Sequence, residues 1–224
     1  YVTPNQDGTY SLSLEVTGDR KETNYPADVV VIFDVSLSTS SSMMESFKLA
    51  ARTLADTLLT EENSALPPEQ QTRMAIVTFA DTAKLHGDFT ADRSQFEQFI
   101  GTINYHPNET ITNWTASLEL SDSLLEQAAV LRPDTRKYSL FLTDGAPNSK
   151  SSGYKSYIEA ENRATRMLLN GTTLYTLGVL EKNNQGSVFM PYINLNALEG
   201  EGFKSTDYIG EPQDGFVLAT EALA

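Results

Sequence analysis

The chain of 224 residues has no cysteine, which excludes disulfide bracing, zinc–thiolate sites and thiol catalysis. It holds only two histidines, His86 and His106. Neither has a carboxylate or a second histidine at ligand spacing, so both read as surface or satisfied side chains rather than catalytic ones. Basic residues are few as well: 16 Lys and Arg against 30 Asp and Glu give a formal net charge of -14. A chain this acidic lacks the basic patches that nucleic acid or an anionic membrane demands. No apolar run is long enough for a membrane span, and no signal peptide or lipidation motif is visible. Tyr1 in place of an initiator Met reads as a mature product or an excised domain, so absent targeting signals decide little about location. No Pro/Gly/Ser-rich stretch divides the chain and no repeat of fixed period appears, which favours one main domain.

What is present begins with Asp28-Val-Val-Val-Ile-Phe-Asp34, an apolar run bounded by acids that reads as a strand buried on both faces. Before it, residues 9–16 alternate apolar and polar as a strand with one solvated face. After it, residues 43–59 place Met44, Phe47, Ala51, Leu54 and Leu58 at helical spacing. Residues 60–72, with Pro67-Pro68, read as a loop, 74–79 as a strand and 83–89 as a short edge strand. Helices are expected over 92–103 and 115–131, a buried strand over 138–142, and a helix over 155–169 stopped by Asn170-Gly171. A strand over 174–180 follows, then a short helix near 192–198, a short strand near 203–209 and a final helix over 213–223. Strands separated by helices predict an α/β fold: a doubly wound, mostly parallel central sheet with one antiparallel edge strand and helices on both faces.

Three polar points then fall on one edge of that sheet, at the carboxyl ends of strands where such folds place their ligands. Asp34-Val-Ser36-Leu-Ser38 follows the first central strand, Thr110-Ile-Thr112-Asn113-Trp114 opens a helix, and Thr143-Asp144-Gly145 ends the next buried strand. A carboxylate and two hydroxyls at alternate positions can turn oxygens toward one point, a donor set suited to a hard cation such as Mg²⁺. Individually each point has a plainer reading. Ser36 and Ser38 could cap the next helix, and Asp144-Gly145 could be a turn. Together, in order and in context, the three resemble the von Willebrand factor A domain and the integrin inserted domain, over nearly the whole chain from Ala27 to Leu223.

The resemblance implies a Rossmann-like fold and a metal-ion-dependent adhesion site. Ser36 and Ser38 would be direct ligands, Thr112 a ligand in the high-affinity state, and Asp34 and Asp144 would act directly or through water. Mg²⁺ is the expected ion, with Mn²⁺ or Ca²⁺ as alternatives. Leu37, Asn113 and Gly145 stand beside these positions as candidates for touching a bound partner; Asn113 and Trp114 also read as residues that orient the loop and pack the helix. Two positions depart from the family pattern, Leu37 where Gly is usual and Thr39 where Met is usual.

Two enzyme classes fail on their motifs. A haloacid-dehalogenase-type phosphotransferase needs D-x-D-x-T, and Ser36 replaces its second Asp; a serine hydrolase needs a G-x-S-x-G elbow, and none exists. The expectation is therefore a non-catalytic, monomeric binding module for an acidic residue of a macromolecular protein, such as a host matrix or cell-surface protein. The alternative is an intracellular subunit of a metal-dependent ATPase of the magnesium chelatase kind. The lead-in Asp7 to Gly18 looks like that of Gram-positive surface proteins and tip pilins, favouring a bacterial cell wall or pilus. Residues 1–24 are expected as a lead-in strand segment and 25–224 as the A domain. Asn108, Asn113 and Asn170 open glycosylation sequons, but a glycan near Thr112 and Thr115 would block the metal face, so these are discounted.

Overall fold

The computed structural model describes residues 2–4, 10–12, 25–104, 109–144, 153–179 and 216–218. Its centre is β3 (Ala27–Asp34), every residue of which is buried. β4 (Arg73–Phe79) and β6 (Arg136–Thr143) pair with it in parallel on either side. β7 (Thr172–Val179) continues the parallel sheet beyond β6. β5 (Ala83–Thr90) closes the β4 edge in antiparallel sense, as the sequence predicts. At the other edge lies β8 (Phe216–Leu218), giving the order β5-β4-β3-β6-β7-β8. Two short strands near the start, β1 (Val2–Pro4) and β2 (Tyr10–Leu12), form a separate antiparallel pair.

Side-chain alternation along β3 builds a core on each face of the sheet. Val29, Val31 and Phe33 pack with Met44, Phe47, Ala51 and Ala55 of α1 (Ser41–Leu58) and with Phe96 and Ile100 of α3 (Arg93–Thr102). Val30 and Ile32 point to the other face, against Trp114, Leu118 and Leu125 of α4 (Trp114–Leu131) and Ala160, Ala164 and Met167 of α5 (Gly153–Leu169). The fold is thus a doubly wound α/β sandwich. Gly87 in β5 is required by close packing, since an added Cβ would lie 2.2 Å from the Phe99 ring. Gly171 adopts φ +81° in the turn after α5, where the sequence places its helix stop.

Two expectations are corrected. The stretch 60–72 is not wholly loop: Glu61–Ala65 forms a short helix, α2, capped by the Thr60 side chain and opened by two acids that suit its positive end. The final helix expected over 213–223 gives way at Phe216–Leu218 to strand β8, which pairs antiparallel with β7. Phe-Val-Leu is a β-favouring run, and β7 offers it unpaired backbone groups. The helix expected near 192–198 and the strand near 203–209 lie outside the described residues.

Candidate metal centre

β3 delivers Asp34 to the carboxyl edge of the sheet with its side chain fully buried. Its Oδ1 accepts the Ser36 backbone N–H at 3.0 Å, bending the chain sharply as it leaves the strand. Its Oδ2 accepts the Thr143 hydroxyl at 2.7 Å, which ties the ends of β3 and β6 together. The turn closes when Thr39 N–H donates to the Ser36 carbonyl at 3.0 Å. Helix α1 starts only afterwards, and its cap is Ser40, whose Oγ accepts from Met43 N–H. Ser36 and Ser38 are therefore not cap residues, and their hydroxyls are available for other work.

Those hydroxyls meet the other predicted oxygens. Ser36 Oγ lies 3.2 Å from Ser38 Oγ, and Ser38 Oγ donates to Asp144 Oδ1 at 3.1 Å. Thr112 Oγ1 donates to Ser36 Oγ at 3.3 Å, although 76 residues separate them. Asp34, Ser36, Ser38, Thr112 and Asp144 thus form one continuous oxygen cluster. Asp34, Ser36, Thr112 and Asp144 are buried, while Ser38 and the adjacent Leu37 are exposed, so the cluster opens to solvent on the Ser38 side.

The electrostatics are unbalanced. Burial pushes the Asp34 carboxyl above the ordinary carboxylate range, against hydrogen bonds from Ser36 and Thr143 that pull it down. Asp144 is pushed up to about 7, first by burial and then by the neighbouring charge of Asp34. Among the described residues no Lys or Arg forms an ion pair with either carboxylate. Nor, among them, do three or more His, Cys, Asp or Glu side chains gather where they could hold a metal ion. Two carboxylates and three hydroxyls make an all-oxygen donor set that fits a hard divalent cation, whose charge would relieve the repulsion within the acid pair.

The sequence profile of the von Willebrand factor type A domain matches residues 28–208. The chain belongs to that family. No curated protein sequence matches it. Solved structures share its fold at low identity. The mussel byssus proximal thread matrix protein 1, with a zinc-occupied MIDAS motif, is 16% identical with a TM-score of 0.56, covering 70% of this chain and 39% of its own. Manganese-loaded TRAP protein of Plasmodium vivax is 20% identical with a TM-score of 0.54, covering 72% of this chain and 60% of its own. A von Willebrand factor type A structure from Catenulispora acidiphila is 19% identical with a TM-score of 0.54, covering 70% and 34%. The chain therefore spans 34% to 60% of these neighbours' lengths, less than two thirds of each, and at such identities the likeness is one of fold.

The remaining predicted positions fall out differently within this A domain. Leu37 stands at the rim, 49% exposed, with its N–H bonded to the Glu109 carbonyl at 2.9 Å. Asn113 caps α4 through Ala116 N–H and sends its amide to the Asp81 carbonyl, so it shapes the loop. Gly145 lies outside the described residues. The reading of Trp114 as a packing residue holds: it is 1% exposed, edge-on to Phe141 at 5.2 Å. The sequence reading missed Asp81 and Glu109, which brace the Thr112 loop. Asp81 stands two residues past the end of the buried strand β4, much as Asp34 closes β3, and that signal was available. Among the described residues no helix is long and apolar enough to cross a membrane.

Proposed function

We propose that this A domain is a metal-ion-dependent adhesion module of a larger extracellular, cell-surface protein. Asp34, Ser36, Ser38, Thr112 and Asp144 hold Mg²⁺, or Mn²⁺ or Ca²⁺ in its place. The observation that carries this reading is the pair of buried carboxylates, joined by three hydroxyls at the carboxyl edge of the sheet, with which no Lys or Arg among the described residues forms an ion pair. When bound, the ion supplies a Lewis-acidic centre that takes an oxygen from a partner. The chain's own residues orient that centre: Asp34 and Thr143 lock the strand ends, and Ser38 lies on the solvent side. The partner is a protein that offers an Asp or Glu carboxylate, and Leu37 gives the approaching residue an apolar contact at the rim. Support comes from family membership and from neighbours of the same fold whose MIDAS is zinc-occupied or which are manganese-loaded. We read the chain as a binding module without turnover, with residues 1–24 as a lead-in to a domain over 25–224.

A random peptide library displayed on phage, selected on the Mg²⁺-loaded protein and eluted with EDTA, tests this reading. Eluted clones should be enriched in Asp or Glu and should lose binding to Ser36→Ala. Clones that lack carboxylates, or that stay bound through chelation, would overturn it.

A further inference from the structure

We propose that Asp81 is the positioning residue of this centre: its carboxylate, with Glu109 as counterpart, holds the loop that presents Thr112. The inference rests on the metal-binding reading above and deepens it.

Thr112 comes from a connection, not from a strand, so its placement needs a brace of its own. β4 ends at Phe79, and Ala80-Asp81 follows at the carboxyl edge of the sheet, beside β3. Asp81 Oδ1 accepts the N–H of Ile111, the residue before Thr112, at 2.9 Å. The Asp81 carbonyl accepts from the Asn113 side-chain amide at 3.3 Å, and Asn113 N–H donates to the Ala80 carbonyl at 3.0 Å. Both chain neighbours of Thr112 are thereby anchored to the 80–81 turn. The tie is reciprocal, since Asp81 N–H donates to Glu109 Oε2 at 3.2 Å. Glu109 in turn accepts Leu37 N–H on its carbonyl at 2.9 Å, linking the same loop to the Ser36–Ser38 turn.

Among the described residues none of the hydrogen bonds of Asp81 reaches Asp34, Ser36, Ser38, Thr112 or Asp144; its partners are Glu109, Ile111 and Asn113 of the loop itself. Asp81 therefore acts through Thr112, by fixing the backbone that carries it. What the loop requires at Oδ1 is an acceptor for one N–H, a need that an amide oxygen also meets. Supporting groups of this kind set how well a metal ligand is oriented, and losing one costs about 10–100-fold in metal affinity.

The test is Mn²⁺ affinity of the whole chain by calorimetry and electron paramagnetic resonance, for wild type, Asp81→Ala, Asp81→Asn, Thr112→Ala and the Asp81→Ala/Thr112→Ala pair. Asp81→Ala should weaken Mn²⁺ about 10–100-fold, and Asp81→Asn should restore most of the loss. In the Thr112→Ala background, Asp81→Ala should add nothing, because both remove the same interaction. Wild-type affinity in Asp81→Ala, or a full additional loss in the double variant, would overturn the proposal. If Asp81→Ala does not fold, Glu109→Ala releases the loop from its other end and should weaken Mn²⁺ in the same direction; an unchanged affinity there overturns it equally. Amide exchange at Ile111 in the metal-free protein separates this claim from the metal reading. Faster exchange in the folded Ala variants supports the brace even where Mn²⁺ does not bind, and unchanged exchange refutes it even where Mn²⁺ binds.

Discussion

Replacing Asp34 by Asn separates the two tasks of that side chain. Its Oδ1 shapes the turn by accepting Ser36 N–H, and its Oδ2 accepts the Thr143 hydroxyl. Asn keeps Oδ1, and its amide nitrogen takes the place of Oδ2, so the Thr143 hydroxyl need only rotate from donor to acceptor. The turn should therefore survive, and removing one of two buried, mutually repelling carboxylates offsets what is lost in hydrogen-bond strength. The charge for the cation is what disappears. A ligand that binds only the folded state stabilises by RT ln(1 + [L]/Kd), about 2.7 kcal/mol at a free concentration 100 times Kd. For a chain of this size each kcal/mol moves the midpoint by roughly 2–4 °C, so Mg²⁺ should raise the wild-type midpoint by roughly 5–11 °C over EDTA. If Asn costs about 100-fold in affinity, the same Mg²⁺ concentration yields about 0.4 kcal/mol, a shift of roughly 1 °C. Differential scanning calorimetry in Mg²⁺ and in EDTA reads both numbers. Equal wild-type midpoints in the two buffers, or a full Mg²⁺ shift in Asp34→Asn, would refute the reasoning.

The raised Asp144 pKa makes both stability and metal binding depend on pH. Its carboxyl moves from an ordinary 3.8 to about 7 in the metal-free fold, so the folded state holds this proton more tightly than the unfolded state. The resulting stability is fully present below about 3.8 and is lost as pH rises toward about 7; denaturant titrations in EDTA should show wild type losing stability relative to Asp144→Asn over that window. Mg²⁺ must displace the same proton, so its affinity should climb across that range with proton release, measured calorimetrically in buffers of different ionisation enthalpy; a flat profile would contradict the assignment. Phe47 is fully buried against β3, and Phe47→Ala should cost about 3–5 kcal/mol by urea denaturation while leaving Mn²⁺ affinity in the folded protein unchanged.

The parts of this fold legible in the sequence are those where one physical rule acts alone. β3 is a plain apolar run because both faces are covered, and α1 shows its buried stripe because one face meets the sheet. The oxygen cluster was legible because Asp34, Ser36 and Ser38 alternate within one short segment and each later member stands at the end of a recognisable strand or just before a helix. Other parts depend on context that no local pattern carries. α2 hides beside Pro67-Pro68, with only Thr60 and two acids to announce it. At Phe216–Leu218 apolar residues are compatible with helix or strand, and the open edge of β7 decides. Asp81 and Glu109 act on backbone groups some 28 to 30 residues away in the chain, a pairing without periodicity to betray it.

One strand offers the comparison that bears most on function. β3 carries a buried carboxylate near each end, Asp28 at 1% exposure and Asp34 at 0%. Asp28 is held by Arg73 through two hydrogen bonds of 2.8 and 2.9 Å and by Arg132 from the end of α4. That end of the sheet meets the general requirement that a buried charge be paired and hydrogen-bonded. Asp34 sits in an equally dry place, yet among the described residues it receives neutral donors from Ser36 and Thr143 and no ion pair, with a second acid, Asp144, nearby. Stability alone would favour at Asp34 what the strand has at Asp28, or a neutral side chain. A fold that compensates one buried acid with two arginines and leaves its counterpart beside another acid suits the proposed site, in which a cation from solution would supply the countercharge. A resident arginine at this edge would fill the coordination sphere of the acids and leave no electrophilic centre for a partner's carboxylate, whereas a divalent cation neutralises the pair and retains positions to offer.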